Sequence, residues 1–195
     1  IELINLLHHQ VKRDMGKLVI ISGPSGSGKT TICKLLEKDP LVKKSISMTT
    51  RLPRHSEKNG KAYHFVSTNE FEEMIQKGEL AEHAEYCGSY YGTPMNALRE
   101  ALEKEIIYLL EIEVQGALQI MEKFPEAISI FLLPPDKKTL GQRLIQRNTN
   151  KKQDVELRLK VADKELEYSD QYKYSVVNDD LEVTVNTIRK ILGLT

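Results

Sequence analysis

The sequence predicts an α/β fold with a mostly parallel sheet, because strand-like and helix-like patterns alternate along its 195 residues. Four short apolar runs, at 18–22, 106–112, 127–133 and 174–177, are typical of strands that are buried on both faces. Segments with apolar residues at helical spacing lie between and after these runs. A glycine-rich stretch, 23–30, joins the first run to the first helical segment, so we expect a strand–loop–helix unit there.

The predicted helices each carry one apolar stripe. The first follows the glycine-rich stretch over 31–37, the second begins near Pro135-Asp136, the third covers about 154–168, and the last starts after Asp179-Asp180. The residues that we expect on their apolar faces are, in the second helix, Leu140, Leu144 and Ile145; in the third, Val155, Leu159, Ala162 and Leu166; and in the last, Val183, Val185, Ile188, Ile191 and Leu192.

Residues 45–94 differ from the rest of the chain, because short alternating pieces dominate them. We expect a small mixed insertion of antiparallel strands, interrupted by one short helix that begins at the capping-box pattern of Ser67 and Glu70. The core domain then comprises 16–44 and 95–195, preceded by an N-terminal extension, 1–15, to which we assign no role. The expected strand pieces of the insertion are 45–50, 63–66, 80–86 and 90–93.

Composition limits the classes of function. The chain has 28 Lys and Arg residues against 28 Asp and Glu residues, so it lacks the basic excess of a general nucleic-acid binder. No apolar run is long enough to cross a bilayer, so we expect no membrane association. The two cysteines, Cys33 and Cys87, have no metal-binding or redox spacing, which favours a reducing, cytoplasmic compartment. The sequence does not indicate an oligomeric state.

The stretch 23–30 matches the phosphate-binding pattern GxxxxGK[ST] in the context that the pattern requires. Its glycines allow backbone N–H groups to point at phosphate oxygens, and the following helix N-terminus favours an anion. Lys29 supplies a positive charge, and the hydroxyl group of Thr30 is a possible Mg²⁺ ligand. The alternative is a glycine-rich turn without a ligand, which would need neither of these side chains.

Two further features indicate a second anionic substrate. Arg51 and Arg54 lie on either side of a proline, and their guanidinium groups are suited to bind one phosphate group together. The alternative is a solvated surface turn. Glu82 follows an apolar pair, and a nucleobase with two adjacent N–H donors would satisfy it in a cleft; the alternative is an exposed strand carboxylate. The basic segment 143–160 suggests a mobile lid over the transferring phosphate, or else a solvated helix face.

Taken together, these pieces resemble the guanylate kinase family of P-loop nucleoside monophosphate kinases over residues 16–194. The resemblance implies a three-layer P-loop NTPase fold, a GMP-binding insertion, and Mg²⁺-assisted phosphoryl transfer from ATP to GMP. The segments that carry it are Thr49-Thr50-Arg51-Leu52-Pro53-Arg54, Asn59 to Val66, Tyr90-Tyr91-Gly92-Thr93, Val114-Gln115-Gly116-Ala117 and Val177-Asn178-Asp179-Asp180.

The resemblance also implies roles for individual residues. The implied ATP-binding residues are Gly23, Pro24, Ser25, Gly26, Ser27, Gly28, Lys29, Thr30, Thr31 and, near adenine, Asn178. The implied GMP-binding residues are Ser47, Arg51, Arg54, Tyr63, Glu82, Tyr91, Thr93 and Glu113. Lys29 and Arg51, with the lid arginines Arg147 and Arg158, are the implied catalytic residues. Thr30, and Glu111 through water, would hold Mg²⁺.

The chain departs from the family pattern at three places. Glu111 and Glu113 stand where the family usually carries Asp-x-Asp before a Gln-Gly turn, and each side chain is one methylene longer. Ser56 occupies a position where Gly is common, and Asn148 follows Arg147 where Gly is usual.

Two rival functions are compatible with parts of the pattern. A P-loop kinase acting on a sugar phosphate, such as a ribose bisphosphate, would keep Lys29 but would not need Glu82 to recognise a base. A phosphopeptide-binding module of the same fold would typically have a degraded P-loop, whereas the P-loop here is intact.

Overall fold

The computed structural model describes residues 16–86, 88–147 and 152–194. The strands among them are β1 Lys17–Ser22, β2 Val42–Lys44, β3 Met48–Thr49, β4 His64–Phe65, β5 Leu80–Tyr86, β6 Ser89–Pro94, β7 Ile107–Glu111, β8 Ile128–Leu133 and β9 Tyr174–Val177. The helices are α1 Lys29–Leu36, α2 Thr68–Gln76, α3 Met95–Leu102, α4 Val114–Lys123, α5 Lys137–Arg147, α6 Lys152–Leu166 and α7 Leu181–Leu192, with a 3₁₀ turn at Ser169–Gln171.

Five strands form a parallel sheet in the order β2-β7-β1-β8-β9, as the α/β prediction requires. Strand β1 is central: Val19 lies opposite Leu109 of β7 and Ile128 of β8. Parallel strands end at the same edge of a sheet, so the segments that follow β1 and β7 lie side by side there. This edge brings the glycine-rich loop next to Glu111 and Glu113.

Helices cover both faces of the parallel sheet, which confirms the predicted three-layer fold. Val19 and Ile21 of β1 face one way, whereas Leu18 and Ile20 face the other. The first pair shares a core with Ile32 and Leu36 of α1 and with Ile188 and Leu192 of α7. The second pair shares a core with Leu98 of α3 and with Ala117 and Ile120 of α4.

Three elements of the core were missing from the sequence-based description. Strand β2 has only three residues, and Val42 is its one buried side chain, so it leaves no apolar run. Helices α3 and α4 were not identified individually. Gln115 and Gly116, which we interpreted as a turn, lie instead in the first turn of α4. The side chains of Val114 and Ala117 make that turn part of the core.

Two predicted core residues are exposed. Val183 is 63% exposed and Ile145 is 60% exposed. In α7 the buried stripe is formed by Thr184, Ile188 and Leu192, and a helical rotation of about 100° per residue turns Val183 away from it. The same rotation carries Ile145 off the stripe that Leu140 and its neighbour Leu144 form in α5.

The second sheet has the order β4-β3-β6-β5 and lies within the predicted insertion. Its pairings are antiparallel except that of β3 with β4, which is parallel. The predicted capping box begins α2: the Ser67 hydroxyl accepts from the Glu70 N–H at 3.2 Å, and the Glu70 carboxylate accepts from the Ser67 N–H at 2.8 Å.

Helix α4 joins this second sheet to the core. The Gln119 side chain donates to the carbonyl of His83 at 2.7 Å and accepts from its N–H at 3.2 Å. The Lys123 ammonium donates to the carbonyl of Ala81 at 2.6 Å. These bonds lie on either side of Glu82 in β5 and therefore fix it against the start of α4.

Cys33 is a free, buried thiol in α1, and Cys87 lies outside the described residues. Among the described residues, we find no helix that is both long and apolar enough to cross a bilayer.

Candidate active site

The glycine-rich loop between β1 and α1 has the backbone that the sequence predicts. Gly23, Gly26 and Gly28 adopt φ angles of 132°, 90° and 101°, a region that favours glycine. A Cβ atom on Gly23 would clash with the carbonyl oxygen of Leu132, and one on Gly28 with the side-chain amide of Asn178. The glycines therefore serve both the loop conformation and its close packing.

Lys29 reaches back over this loop. Its ammonium group donates to the carbonyl of Gly23 at 2.5 Å and to that of Pro24 at 3.0 Å. The lysine is also among the residues that line a cavity of about 220 Å³. A positive charge is therefore held at the loop, where a phosphate group would meet it.

This cavity joins the P-loop to the second sheet. Ser25, Lys29 and Thr30 line it at the P-loop. The predicted site residues that line it from the insertion, from the end of β7 and from the segment after β7 are Ser47, Arg54, Tyr63, Glu82, Tyr91, Glu111 and Glu113. The structure thus brings two predicted anion-binding regions to one space.

Glu111 lies beside the P-loop threonine. The Thr30 hydroxyl donates to Glu111 Oε1 at 2.5 Å, and Glu111 Oε2 forms an ion pair with the Lys44 ammonium at 2.5 Å. Burial alone would lower the pKa of Lys44, but the adjacent Glu111 carboxylate raises it above its usual range. Among the described residues there is no group of three or more His, Cys, Asp or Glu side chains that could enclose a metal ion.

Glu82 is buried, with only 2% of its surface exposed. The Thr93 hydroxyl donates to Glu82 Oε1 at 2.6 Å, and Oε2 lies so close to Gly116 that any Cβ there would clash with it. Burial raises the pKa of Glu82 to about 7, against the opposing effect of the Thr93 hydrogen bond. The alternative of an exposed strand carboxylate is therefore wrong.

Glu113 and Glu165 form a second acidic group near Lys29. Burial raises the pKa of Glu113 to about 7, against the effect of Lys29. Burial likewise raises the pKa of Glu165, which α6 carries into the same cavity. The cavity is therefore lined by three carboxyl groups, of Glu82, Glu113 and Glu165, whose pKa values are raised by burial.

The two predicted phosphate-binding arginines have different surroundings. The Arg54 side chain lines the cavity. Arg51 is not among the lining residues; its Nη2 donates to both carboxylate oxygens of Glu57 at 3.0 Å, and its Nη1 donates to the Leu52 carbonyl at 2.7 Å. The turn is thus an organised cluster of charges, and the role of Arg51 in binding phosphate remains a prediction.

Asn178 forms a hydrogen bond to the backbone of the P-loop. Its side-chain amide donates to the Ser27 carbonyl at 2.7 Å, and its own carbonyl accepts from Arg143 Nη2 at 3.2 Å. A second cavity, of about 320 Å³, lies beside Asn178 and the P-loop. Its lining residues are Gly26, Gly28, Thr31, Arg143, Asn178, Asp179 and Leu181.

The predicted lid falls partly outside the described residues. These exclude residues 148–151 and the side chain of Arg147, and they also exclude the predicted extension at 1–15. Arg158 is half-buried on α6 and does not line the main cavity.

Sequence reasoning missed three residues of this site: Lys44, Glu57 and Glu165. Glu57 had a local signal, because it follows Arg54 by three residues, the spacing of a turn. Glu165 follows Arg158 by two helical turns and so shares its side of α6. Lys44 had none, since its contact depends on the register of an edge strand with β7.

A loop of this kind at the end of a central parallel strand, with a second polar site facing it, defines a P-loop kinase. The sequence model of the guanylate kinase family matches residues 15–194. This chain belongs to the guanylate kinase family.

Individual relatives agree with this assignment. The chain is 44% identical over 183 residues to a guanylate kinase of Desulfitobacterium hafniense, covering 93% of this chain and 92% of the relative. It is 46% identical over 181 residues to a guanylate kinase of Prochlorococcus marinus, covering 92% and 98%.

Solved structures show the same family and, at lower identity, the same fold. The crystal structure of guanylate kinase from Anaplasma phagocytophilum matches with a TM-score of 0.77 and 36% identity, covering 92% of this chain and 86% of that one. A shikimate kinase from Bacteroides thetaiotaomicron matches with a TM-score of 0.52 and 17% identity, covering 91% and 99%, and supports the fold alone.

Proposed function

We propose that this chain catalyses phosphoryl transfer from ATP to GMP, giving ADP and GDP. The observation that carries the proposal is the shared cavity. Lys29 of the P-loop and the buried carboxylate of Glu82 both line it. The family membership of the chain and the names of its guanylate kinase relatives support the same reaction.

Glu82 is the proposed determinant of base choice. Guanine presents N1–H and an exocyclic amino group side by side, so an ionised carboxylate can accept from both. Adenine has a lone pair at N1, which would leave the buried charge unpaired at considerable cost. Thr93 holds Glu82 in place, and Ser47 and Glu113 line the same cavity as additional polar contacts.

The phosphate group of GMP is proposed to bind between Arg54, Tyr63 and Tyr91, with Arg51 beside them. The first three line the cavity, and the Arg51 guanidinium lies 5.5 Å from the centre of the Tyr63 ring. Arginines suit this role because their planar N–H groups match a phosphate group. We propose that residues 45–94 form the GMP-binding insertion and that 16–44 with 95–195 form the core.

ATP is proposed to place its phosphates on the P-loop, 23–30, with the ammonium of Lys29 moving from the loop carbonyls to them. Thr30 and, through water, Glu111 are the proposed residues for Mg²⁺, and the Thr30 hydroxyl donates to Glu111 Oε1 at 2.5 Å. Mg²⁺ is commonly held by one or two side chains together with the phosphates, which matches this small donor set. When bound, the ion would neutralise charge on the β- and γ-phosphates.

The transfer needs no protein nucleophile. A GMP phosphate oxygen attacks the γ-phosphoryl group in line, so the protein contributes positioning and charge neutralisation. We propose that Arg147 and Arg158, from a lid at about 143–160, approach the moving group, and that closure excludes water. Asn178 braces the P-loop beside the second cavity, which is the proposed region for adenine.

A panel of acceptors tests this function. ADP release would be followed with ATP, Mg²⁺ and, in turn, GMP, dGMP, AMP, CMP, UMP and ribose 1,5-bisphosphate. A site built on hydrogen bonds to a base can discriminate by about 10⁴–10⁵, so we expect GMP to exceed AMP in kcat/KM by that order. Equal use of AMP, or a preference for the sugar bisphosphate, would refute the proposal.

A further inference from the structure

Glu57 is a carboxylate that the proposed reaction does not yet use, although it organises the turn that carries both arginines. Both of its carboxylate oxygens accept from Arg51 Nη2 at 3.0 Å. Its Oε2 also accepts from the backbone N–H of Arg54 at 2.9 Å, and its own N–H donates to the Arg54 carbonyl at 2.9 Å. One side chain therefore connects the guanidinium of Arg51 with the backbone of Arg54.

The guanidinium of Arg51 is constrained on its other sides as well. Its Nη1 donates to the Leu52 carbonyl at 2.7 Å. The carbon atom at its centre lies 5.5 Å from the middle of the Tyr63 ring and 5.9 Å from that of Phe65. The side chain of Tyr91 also lies beside it. These contacts define the orientation of the arginine in the structure.

The ion pair of Arg51 and Glu57 differs from an ordinary surface pair. Their side chains are only 20% and 17% exposed, and the contact is made by two hydrogen bonds. Burial alone would raise the pKa of Glu57, but the hydrogen bonds from Arg54 and Arg51 together with their positive charges outweigh it and lower the pKa below its usual range. Glu57 therefore stays ionised at neutral pH, and its charge and geometry are available to orient the arginine.

We propose that Glu57 is a positioning residue for the phosphate group of GMP and that it acts through Arg51. It holds the guanidinium against Tyr63 and beside Tyr91, two of the tyrosines that line the cavity, without touching the nucleotide itself. Without this carboxylate the long arginine side chain would sample several orientations, and the phosphate group would have to order it on binding. The inference rests on the proposed function, because it assumes that the cavity binds GMP.

The test compares a nucleotide with its nucleoside in the variant Glu57→Gln. Glutamine keeps the size of the side chain and one acceptor oxygen but loses the charge. Calorimetry would measure the Kd of GMP and of guanosine for the whole chain. We expect GMP to bind about tenfold more weakly, the order of one charge-assisted hydrogen bond, and guanosine to change less than about twofold.

Glu72→Gln is the matched control, because Glu72 is an exposed glutamate of the same insertion, on α2. It removes the same charge and should leave both affinities unchanged. Adding Glu57→Gln to Arg51→Met should weaken GMP binding by less than about twofold, since the residue that Glu57 orients is then gone. Thermal unfolding would verify that each variant is folded.

The outcomes separate the two proposals. If the unaltered chain binds GMP no better than guanosine, the proposed phosphate site is wrong. If it does prefer GMP, the inference is overturned by a Glu57→Gln variant that binds GMP equally well or more tightly. An equal loss for GMP and guanosine would show a general structural role, and a fully additive loss with Arg51→Met would contradict action through that arginine.

Discussion

The P-loop and the insertion both face the same cavity, but the chain builds them in opposite ways. The P-loop consists of consecutive residues, 23–30, and presents backbone groups in a conformation that glycines allow. The insertion site draws single side chains from distant segments, among them Arg54, Tyr63, Glu82 and Tyr91. A phosphate-binding site can therefore be formed by residues that are adjacent in sequence, whereas a site that also recognises a nucleobase requires residues that only the folded chain brings together.

The two regions also differ in how they balance charge. At the P-loop, the Lys29 ammonium donates to two carbonyl oxygens and lies near the carboxylates of Glu113 and Glu165. In the insertion, Glu82 is buried with a hydroxyl partner, and burial raises its pKa to about 7. The first region should respond mainly to loss of a cation, and the second to loss, displacement or protonation of a carboxylate.

Lys29→Met should give the largest effect. Removing one donor that stabilises charge in a transition state lowers kcat by about 10²–10³-fold, and we expect a loss of this order with GMP and ATP at saturation. Lys29 is absent from the hydrophobic core, so the fold should be retained. Lys34→Met, at an exposed position of the same helix, is the control and should be nearly as active as the unaltered chain. Near-normal kcat for Lys29→Met would overturn the assignment of the P-loop.

Glu82→Gln should give the next largest effect, and it should act on GMP alone. Loss of one partner from a buried, charged hydrogen-bonded pair costs about 2–5 kcal/mol, so kcat/KM for GMP should fall by about 10²-fold. The KM for ATP should stay within about twofold, because the P-loop is unchanged. Steady-state kinetics with each substrate varied would measure both. Glu85→Gln, an exposed carboxylate on the same strand, is the control, and unchanged GMP efficiency in Glu82→Gln would contradict the role in base recognition.

Most of the core fold was predictable because β1, β7 and β8 are buried on both faces, whereas β9, which we predicted as a central strand, is an edge strand in which only Val176 is buried. The runs at 106–112, 127–133 and 174–177 contain β7, β8 and β9, and the run at 18–22 contains all of β1 except Lys17. Strand β2 was not predictable, because it is short and lies at the edge of the sheet. Helix α4 was not predicted because Gly116, near its start, is typical of a turn when only local propensity is considered.

The residues of the candidate site were predictable where they belong to a stretch of consecutive residues or to a motif of the family. Lys29, Thr30 and Glu82 were found in this way and do line the cavity. Residues that act on other side chains were missed. The contact of Lys44 with Glu111 depends on strand register, and that of Glu57 with Arg51 depends on a folded turn.

Gly116→Ala tests whether the insertion site depends on close packing against the core. A Cβ at this position would clash with Glu82 Oε2, so the carboxylate must move. We expect kcat/KM for GMP to fall by about tenfold, the order of a side chain forced out of place, with the KM for ATP unaffected. Gly141→Ala is the matched control: Gly141 also lies in a helix, but its Cβ position has no described atom within 4 Å apart from its chain neighbours and the adjacent backbone of its own helix. Equal GMP efficiency in the two variants would show that Glu82 tolerates the displacement.

Protonation of Glu82 should appear as a small, pH-dependent change in stability. Its pKa in the folded chain, about 7, lies above the ordinary value of 4.5, so the folded state binds this proton more tightly than the unfolded state. The resulting stabilisation is complete below about pH 4.5 and is lost as the pH rises through about 7, since stability falls with pH where the folded state holds more protons. The variant Glu82→Gln has no carboxyl group at this position, so it does not lose this stabilisation as the pH rises. The Tm of the variant minus that of the unaltered chain, without ligands, should therefore be several degrees more positive at about pH 8.5 than at about pH 5.5. Comparing this Tm difference at two pH values removes any constant cost of burying the amide. If the Tm difference were the same at both pH values, the carboxyl group of Glu82 would titrate in its ordinary range despite its burial.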